Sequence, residues 1–142
     1  TIHQISVFLE NRAGQLAEIT GLLSENHIDP RALNIAETAD YGVLRIIVDQ
    51  PETAASLLLS NGVILSMTPV VAVSVPDRPG GLAEVLHFIS EAGIDVEYMY
   101  SVFGQSAGKA YMIFRVADAK KLIEVLESHG IAPATGEELG IH

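Results

Sequence analysis

The sequence has no cysteine. That removes disulfides, thiolate nucleophiles and thiolate metal sites, and it is compatible with a reducing compartment. Basic residues are scarce: 8 against 18 acidic ones, for a net charge of −10. Such a balance repels phosphate backbones and anionic lipid heads, so neither nucleic acid nor a membrane surface is expected as a partner. No apolar run approaches the roughly 20 residues of a membrane helix. The first residues, Thr1-Ile2-His3-Gln4-Ile5, lack the basic and apolar regions of a secretion signal, and a cytoplasmic location is expected. No Gly-x-Ser-x-Gly or Gly-Lys-Ser/Thr run is present, so hydrolase and nucleotide-binding readings lack their usual signals. His3, His27, His87, His129 and His142 are scattered without the paired spacing of a zinc site, so no metal is expected. Glu137-Glu138 falls in a stretch read as a solvated tail. With no nucleophile–base constellation, the chain is read as non-catalytic and without a cofactor.

Apolar residues make up 49% of the 142 positions, enough for a packed core. They are organised by an internal repeat. Asn11-Arg12-Ala13-Gly14-Gln15-Leu16-Ala17-Glu18 recurs as Asp77-Arg78-Pro79-Gly80-Gly81-Leu82-Ala83-Glu84. Ile28-Asp29 recurs as Ile94-Asp95 in the same register, and Gly42 as Gly108. Asn61-Gly62-Val63 matches His129-Gly130-Ile131 at a slightly larger offset. The repeat divides the chain into 1–68 and 69–142, the second with a short tail that is polar from Gly136. The join, Met67-Thr68-Pro69-Val70, is too short for a flexible linker.

Each copy opens with period-two alternation, Ile5, Val7 and Leu9, then Val71, Val73 and Val75, the mark of a strand with one buried face. A glycine loop and a helical pattern follow. Leu16, Ile19, Leu22 and Leu23 share one helix face, as do Leu82, Val85, Leu86 and Ile89. Asn26 and Gly93 are read as the helix ends. Two strands come next, over 33–38 and 43–48 in the first copy and over 96–103 and 110–116 in the second. Turns containing Gly42 and Gly104–Gly108 join them. A second helix begins at Pro51 in one copy and is capped by Asp118 in the other, with Leu122, Ile123 and Leu126 inward. Closing strands are expected over 63–67 and 131–135. Strand, helix, strand, strand, helix, strand, read twice, gives an α+β fold. It consists of two ferredoxin-like βαββαβ modules, antiparallel sheets with helices on one face.

The loop between first strand and first helix is the most informative feature. Glycine permits a tight turn and close backbone approach. The amides of the helix N-terminus then offer a site for a carboxylate, and a neighbouring Asn or Asp oxygen can accept from an ammonium group. A free amino acid carries both groups. The bland reading stays open: the glycine only makes the turn, and Asn11 or Asp77 only caps the helix. Arg12, Arg31 and Arg78 are read by default as surface ion pairs, and Tyr98 and Tyr100 as core packing.

Asn11-Arg12-Ala13-Gly14, Ile28-Asp29 and Tyr41-Gly42-Val43 resemble the ACT domain, an amino-acid-sensing module, and most of all the regulatory module of phosphoglycerate dehydrogenase. The second copy keeps a proline, Pro79, where the first has Ala13. The resemblance covers nearly the whole chain, as two tandem modules. It implies that the loop Asn or Asp, here Asn11 and Asp77, contacts the effector. It further implies a second polar contact from the start of the partner module's second strand, here Asp29 and Asp95. The implied binding set is Asn11, Arg12, Ala13, Gly14, Gln15, Leu16 and Asp29, with Asp77, Arg78, Pro79, Gly80, Gly81, Leu82 and Asp95. The histidine that precedes the loop in that dehydrogenase is replaced by Leu9 and Val75, so serine is not carried over as the effector. The expectation is a regulatory protein that binds a free amino acid between its modules, as a homodimer or with a partner enzyme of amino-acid metabolism. The alternative is an assembly subunit whose pockets no longer bind ligand.

Overall fold

The computed structural model describes residues 1–10, 13–37, 40–104 and 108–141. Thr38, Ala39, Gln105, Ser106 and Ala107, assigned above to strand ends and turns, lie outside the described residues. The elements in chain order are β1 (Ile2–Glu10), α1 (Gln15–Glu25), β2 (Pro30–Glu37), β3 (Tyr41–Val48), α2 (Pro51–Ser60), β4 (Leu65–Pro76), α3 (Gly81–Glu91), β5 (Tyr98–Ser101), β6 (Lys109–Arg115), α4 (Ala119–Ser128) and a 3₁₀ turn (Glu137–Leu139). Backbone contacts divide the chain into two units. The first is His3–Thr68 with the residues from Leu139 onward; the second is Pro69–Glu138 with Thr1–Ile2.

In the first unit, β1 pairs antiparallel with β3, setting Ile5 opposite Ile46 and Val7 opposite Leu44. β3 pairs antiparallel with β2, setting Leu33 opposite Ile46. Residues opposite each other point to the same sheet face, so these alternating side chains make one apolar surface. Ile19 and Leu23 of α1, with Ala54 and Leu58 of α2, bury that surface. The start of β4 lies beside β1, where the Phe8 N–H donates to the Ile64 carbonyl at 2.9 Å. The Ser6 and Thr68 hydroxyls meet there at 2.8 Å.

The second unit repeats the plan in the order β4-β6-β5. Val71 stands opposite Phe114 and Val73 opposite Met112. Val85 and Ile89 of α3, with Leu122 and Leu126 of α4, cover that face. Asp118 Oδ1 accepts the Lys121 N–H at 3.0 Å, the helix cap its position suggests.

The helices α1, α2, α3 and α4 end alike. The residue after each left-handed position donates its N–H back to the carbonyl five positions earlier: Ile28 to Leu23, Val63 to Leu58, Ile94 to Ile89 and Ile131 to Leu126. This is the Schellman closure, and in each the donor is apolar. The left-handed residue is Gly62, Gly93 or Gly130 in three of them, and His27, at φ 56°, in α1. Asn26, read as the end of α1, has φ −104° rather than the left-handed conformation, and donates its side chain to the Leu22 carbonyl at 2.9 Å.

Several boundaries need correction. The strands expected over 63–67 and from Val71 are one uninterrupted strand, β4. β5 is confined to four residues, although Glu97 and Val102 still donate to the Arg115 and Tyr111 carbonyls. The closing strand expected over 131–135 is reduced to one antiparallel bridge, Val73 with Pro133. A proline has no N–H to extend a ladder. The polar tail is ordered by a reciprocal cap: the Glu138 N–H donates to Thr135 Oγ1 at 3.1 Å, and the Thr135 N–H donates to Glu138 Oε1 at 3.3 Å. Leu139, next in the chain, is only 2% exposed.

Candidate functional site

Both loops turn into their helices through a left-handed glycine at φ 86°, Gly14 and Gly80. The Glu18 N–H closes the first turn of α1 on the Gly14 carbonyl at 2.9 Å, and Glu84 does the same on Gly80 at 3.0 Å. A helix so started has first-turn amides with no intrahelical acceptor. Neither helix has a side-chain cap. Asp77 therefore does not cap α3; its N–H donates to the Gly108 carbonyl at 3.0 Å, tying the loop to β6. Asn11 and Arg12 lie outside the described residues.

Behind the glycines the loops differ. In the first, Gln15 Oε1 accepts the Glu10 N–H at 2.7 Å, so a side chain spans the gap between the end of β1 and the start of α1. In the second, the equivalent pair is Pro76 and Gly81. Proline has no N–H to offer, and glycine has no side chain to receive one. The Arg78 N–H donates to the Pro76 carbonyl at 2.9 Å, and the Gly81 N–H to the Arg78 carbonyl at 3.0 Å. A Cβ at position 81 would overlap the Pro76 carbonyl oxygen, so only glycine permits this approach. Arg78 holds Glu84 at 3.5 Å, on the surface. Leu16 and Leu82 pack onto their units' cores, while Ala13 and Pro79 are exposed.

The end of β1 and the start of α1 line a cavity of about 290 Å³. Glu10, Gln15 and Glu18 form its polar side; Phe8, Ile19, Leu22 and Val63 form its apolar side, with Asn61 at the rim. The sequence reading missed Phe8, Glu10, Glu18 and Asn61. One signal was available, because Asn61-Gly62-Val63 recurs in the second copy, where Gly130 and Ile131 line a cavity of about 440 Å³ with Pro76, Lys109 and Glu138.

The aspartates of the second strands lie elsewhere. Asp29 follows the C-terminal end of α1, and an 11-residue helix, about 16 Å long, separates it from Gly14. Its carboxylate holds Arg31 at 3.0 Å, and its N–H donates to Asp49 Oδ1 at 2.9 Å. Asp95 likewise sits beyond the end of α3, in a shallow hollow with Leu86, Ser90 and Val96. Within either unit, then, loop and aspartate do not converge. Among the described residues no group of three or more His, Asp or Glu is placed to hold a metal ion. No helix among them is long and apolar enough to cross a membrane.

Paired βαββαβ units with glycine-started helices define the class to which the chain conforms, and comparison with known proteins gives the family. Residues 1–139 match the model of the ACT domain pair, and the chain belongs to that family. A solved protein from Bacteroides thetaiotaomicron is 40% identical, with a TM-score of 0.90 over 97% of this chain and 94% of its own. The ligand-free regulatory subunit of aspartate kinase from Thermus thermophilus shares the fold at 16% identity. Its TM-score is 0.65 over 89% of this chain and 91% of its own. The corresponding subunit from Thermus flavus has a TM-score of 0.58 at 15% identity, over 89% and 90%. No curated protein matches. The chain is thus a tandem pair of ACT modules.

Proposed function

We propose that this chain senses a free amino acid at its strand-to-helix glycine loops and passes the bound state to a partner protein of amino-acid metabolism. The observation that carries this reading is the cavity between the end of β1 and the start of α1. Its 290 Å³ lies at the small end of ligand pockets, which run from roughly 300 to 1,000 Å³. The first-turn amides of α1 suit an α-carboxylate, because the helix dipole favours negative charge there. Glu10, Glu18 and Asn61 present acceptors for an α-ammonium, and Phe8, Leu22 and Val63 present a surface for the side chain. A ligand that favours one conformation shifts the population that the partner reads.

The test is a thermal-shift screen of the common amino acids at millimolar concentration. A ligand at a hundredfold excess over Kd stabilises the folded chain by about 2.7 kcal/mol, which moves the melting temperature by several degrees. A flat response to every amino acid refutes the sensor. The second reading, an assembly subunit, is favoured by one feature. Phe8 and Tyr41 stack with ring centroids 5.3 Å apart while 38% and 42% exposed, and Ile64 nearby is 67% exposed. Large apolar side chains grouped on a surface mark contact sites.

A further inference from the structure

We propose that the second unit carries an amino-acid site of its own, on the sheet face away from its helices, where Lys109 and Glu138 take the two opposite charges of a neutral amino acid in the cavity they share. This site is separate from the cavity between β1 and α1, and neither needs the other.

The site arises where the second copy departs from the first. In the first unit the chain runs on past Val63 into β4, beside β1. In the second, Pro133 cuts the equivalent strand to one bridge, and the Thr135–Glu138 cap turns the chain. The strand register sets Pro76 opposite Lys109 and Ser74 opposite Tyr111, on the face away from Val73, Val75 and the helices. The 130–134 segment and Glu138 line that corner with them. The cavity so formed is about 440 Å³, within the roughly 300–1,000 Å³ of ligand pockets.

The two charged groups of this cavity are in different states. Glu138 is fixed: it accepts the Tyr111 hydroxyl at 3.2 Å, and the Thr135 N–H and hydroxyl at 3.3 Å each. The Lys109 ammonium has no hydrogen-bond or ion-pair partner among the described residues, and neither has the Ser74 hydroxyl. Opposite charges therefore line one cavity without pairing across it. Lys109 and Tyr111 stand two residues apart on one strand face, about 7 Å, so the ammonium and the carboxylate that Tyr111 holds serve one small ligand. A ligand carboxylate meets Lys109 and Ser74, and a ligand ammonium meets Glu138. The lining charges cancel, which favours a zwitterion over an acid or an amine alone. Pro76, Ile131, Ala132 and Pro133 give the remaining wall an apolar surface, suited to a neutral side chain.

The test follows amide chemical shifts while glycine, L-alanine, L-valine, L-leucine and L-methionine are titrated separately. Saturable shifts at Ser74, Lys109 and Ala132 are expected with at least one of them. The deaminated acid and the decarboxylated amine of the tightest probe should each bind about tenfold or more weakly, because each leaves one lining charge unmatched. Lys109→Met and Glu138→Gln should weaken binding by about tenfold or more, while Lys120→Met, which removes the same charge from α4, changes it by under about twofold. Glu138→Gln keeps an acceptor for the Thr135 cap, and melting curves confirm that each variant folds. Absence of shifts at Ser74, Lys109 and Ala132 with all five probes overturns the inference. Undiminished binding by Lys109→Met overturns it too, as does an acid or amine that binds as tightly as the amino acid, a comparison that needs only the unaltered chain. Shifts at Gln15, Glu18 and Ile19 report the other cavity. Shifts there alone overturn this inference and leave the proposed function standing; shifts at Ser74, Lys109 and Ala132 alone do the reverse.

Discussion

Gly14 and Gly80 show how far a single residue can be read from sequence. Both have φ 86° with open space where a Cβ would point. An L-residue in that conformation costs about 1–2 kcal/mol whatever its surroundings. Gly14→Val and Gly80→Val should therefore lower stability by similar amounts, read from urea unfolding. Gly14→Val should also lose ligand in calorimetry, because a branched side chain there blocks the approach of a carboxylate to the helix N-terminus. Undiminished binding by a folded Gly14→Val would contradict the glycine-loop site. The glycines were legible because a turn that needs φ > 0 leaves its mark in the residue itself. Phe8, Glu10 and Glu18 were not, because nothing local distinguishes them from other strand and helix residues. Their place in the cavity follows from where the Asn61–Gly62 turn returns beside β1. The Gln15 latch was equally hidden: Gln15 opposite Gly81 reads as drift until the missing N–H of Pro76 is set beside it.

Among the elements, the helices and central strands follow from apolar spacing alone. β1 and β3 alternate, and the α1 and α3 stripes land on the buried faces. The helix ends reveal a less visible regularity. Four Schellman closures share one pattern, yet α1 places His27 where the other helices place glycine. A left-handed non-glycine residue stores local strain. His27→Gly relieves it, partly offset by glycine's greater freedom in the unfolded chain. A net gain of about 0.5–1 kcal/mol in urea unfolding is expected, since the strain exceeds the entropy cost. A loss of stability would show that the His27 side chain contributes more than its backbone costs. The closing strand at 131–135 went wrong for a reason the sequence contained. Pro133 cannot donate to a ladder, and Thr135-x-x-Glu138 is a capping pattern that starts a turn.

At the scale of the whole molecule, the repeat made the division into two modules visible, and its imperfections conceal the chain's end. Nothing in the first copy corresponds to the residues after Gly136, so they read as a solvated tail. The structure gives them work. Glu138 accepts the Tyr111 hydroxyl at 3.2 Å within the second unit, and one residue later Leu139 is counted with the first. There Arg31 Nε donates to the Leu139 carbonyl at 3.0 Å, while the Arg31 guanidinium also holds Asp29. A loose tail predicts no effect from trimming the Leu139 side chain. A buried leucine predicts the cost of lost contacts plus a cavity, about 2–5 kcal/mol for Leu→Ala. Leu59, 57% exposed on α2, supplies the control, because surface truncations stay within about 0.5 kcal/mol. Leu139→Ala should therefore lower the urea midpoint clearly and Leu59→Ala hardly at all. Removal of the chain from 139 onward should cost at least as much as Leu139→Ala, because Arg31 Nε then loses its carbonyl acceptor as well. Equal midpoints for Leu139→Ala and Leu59→Ala would return the segment to the status of a tail.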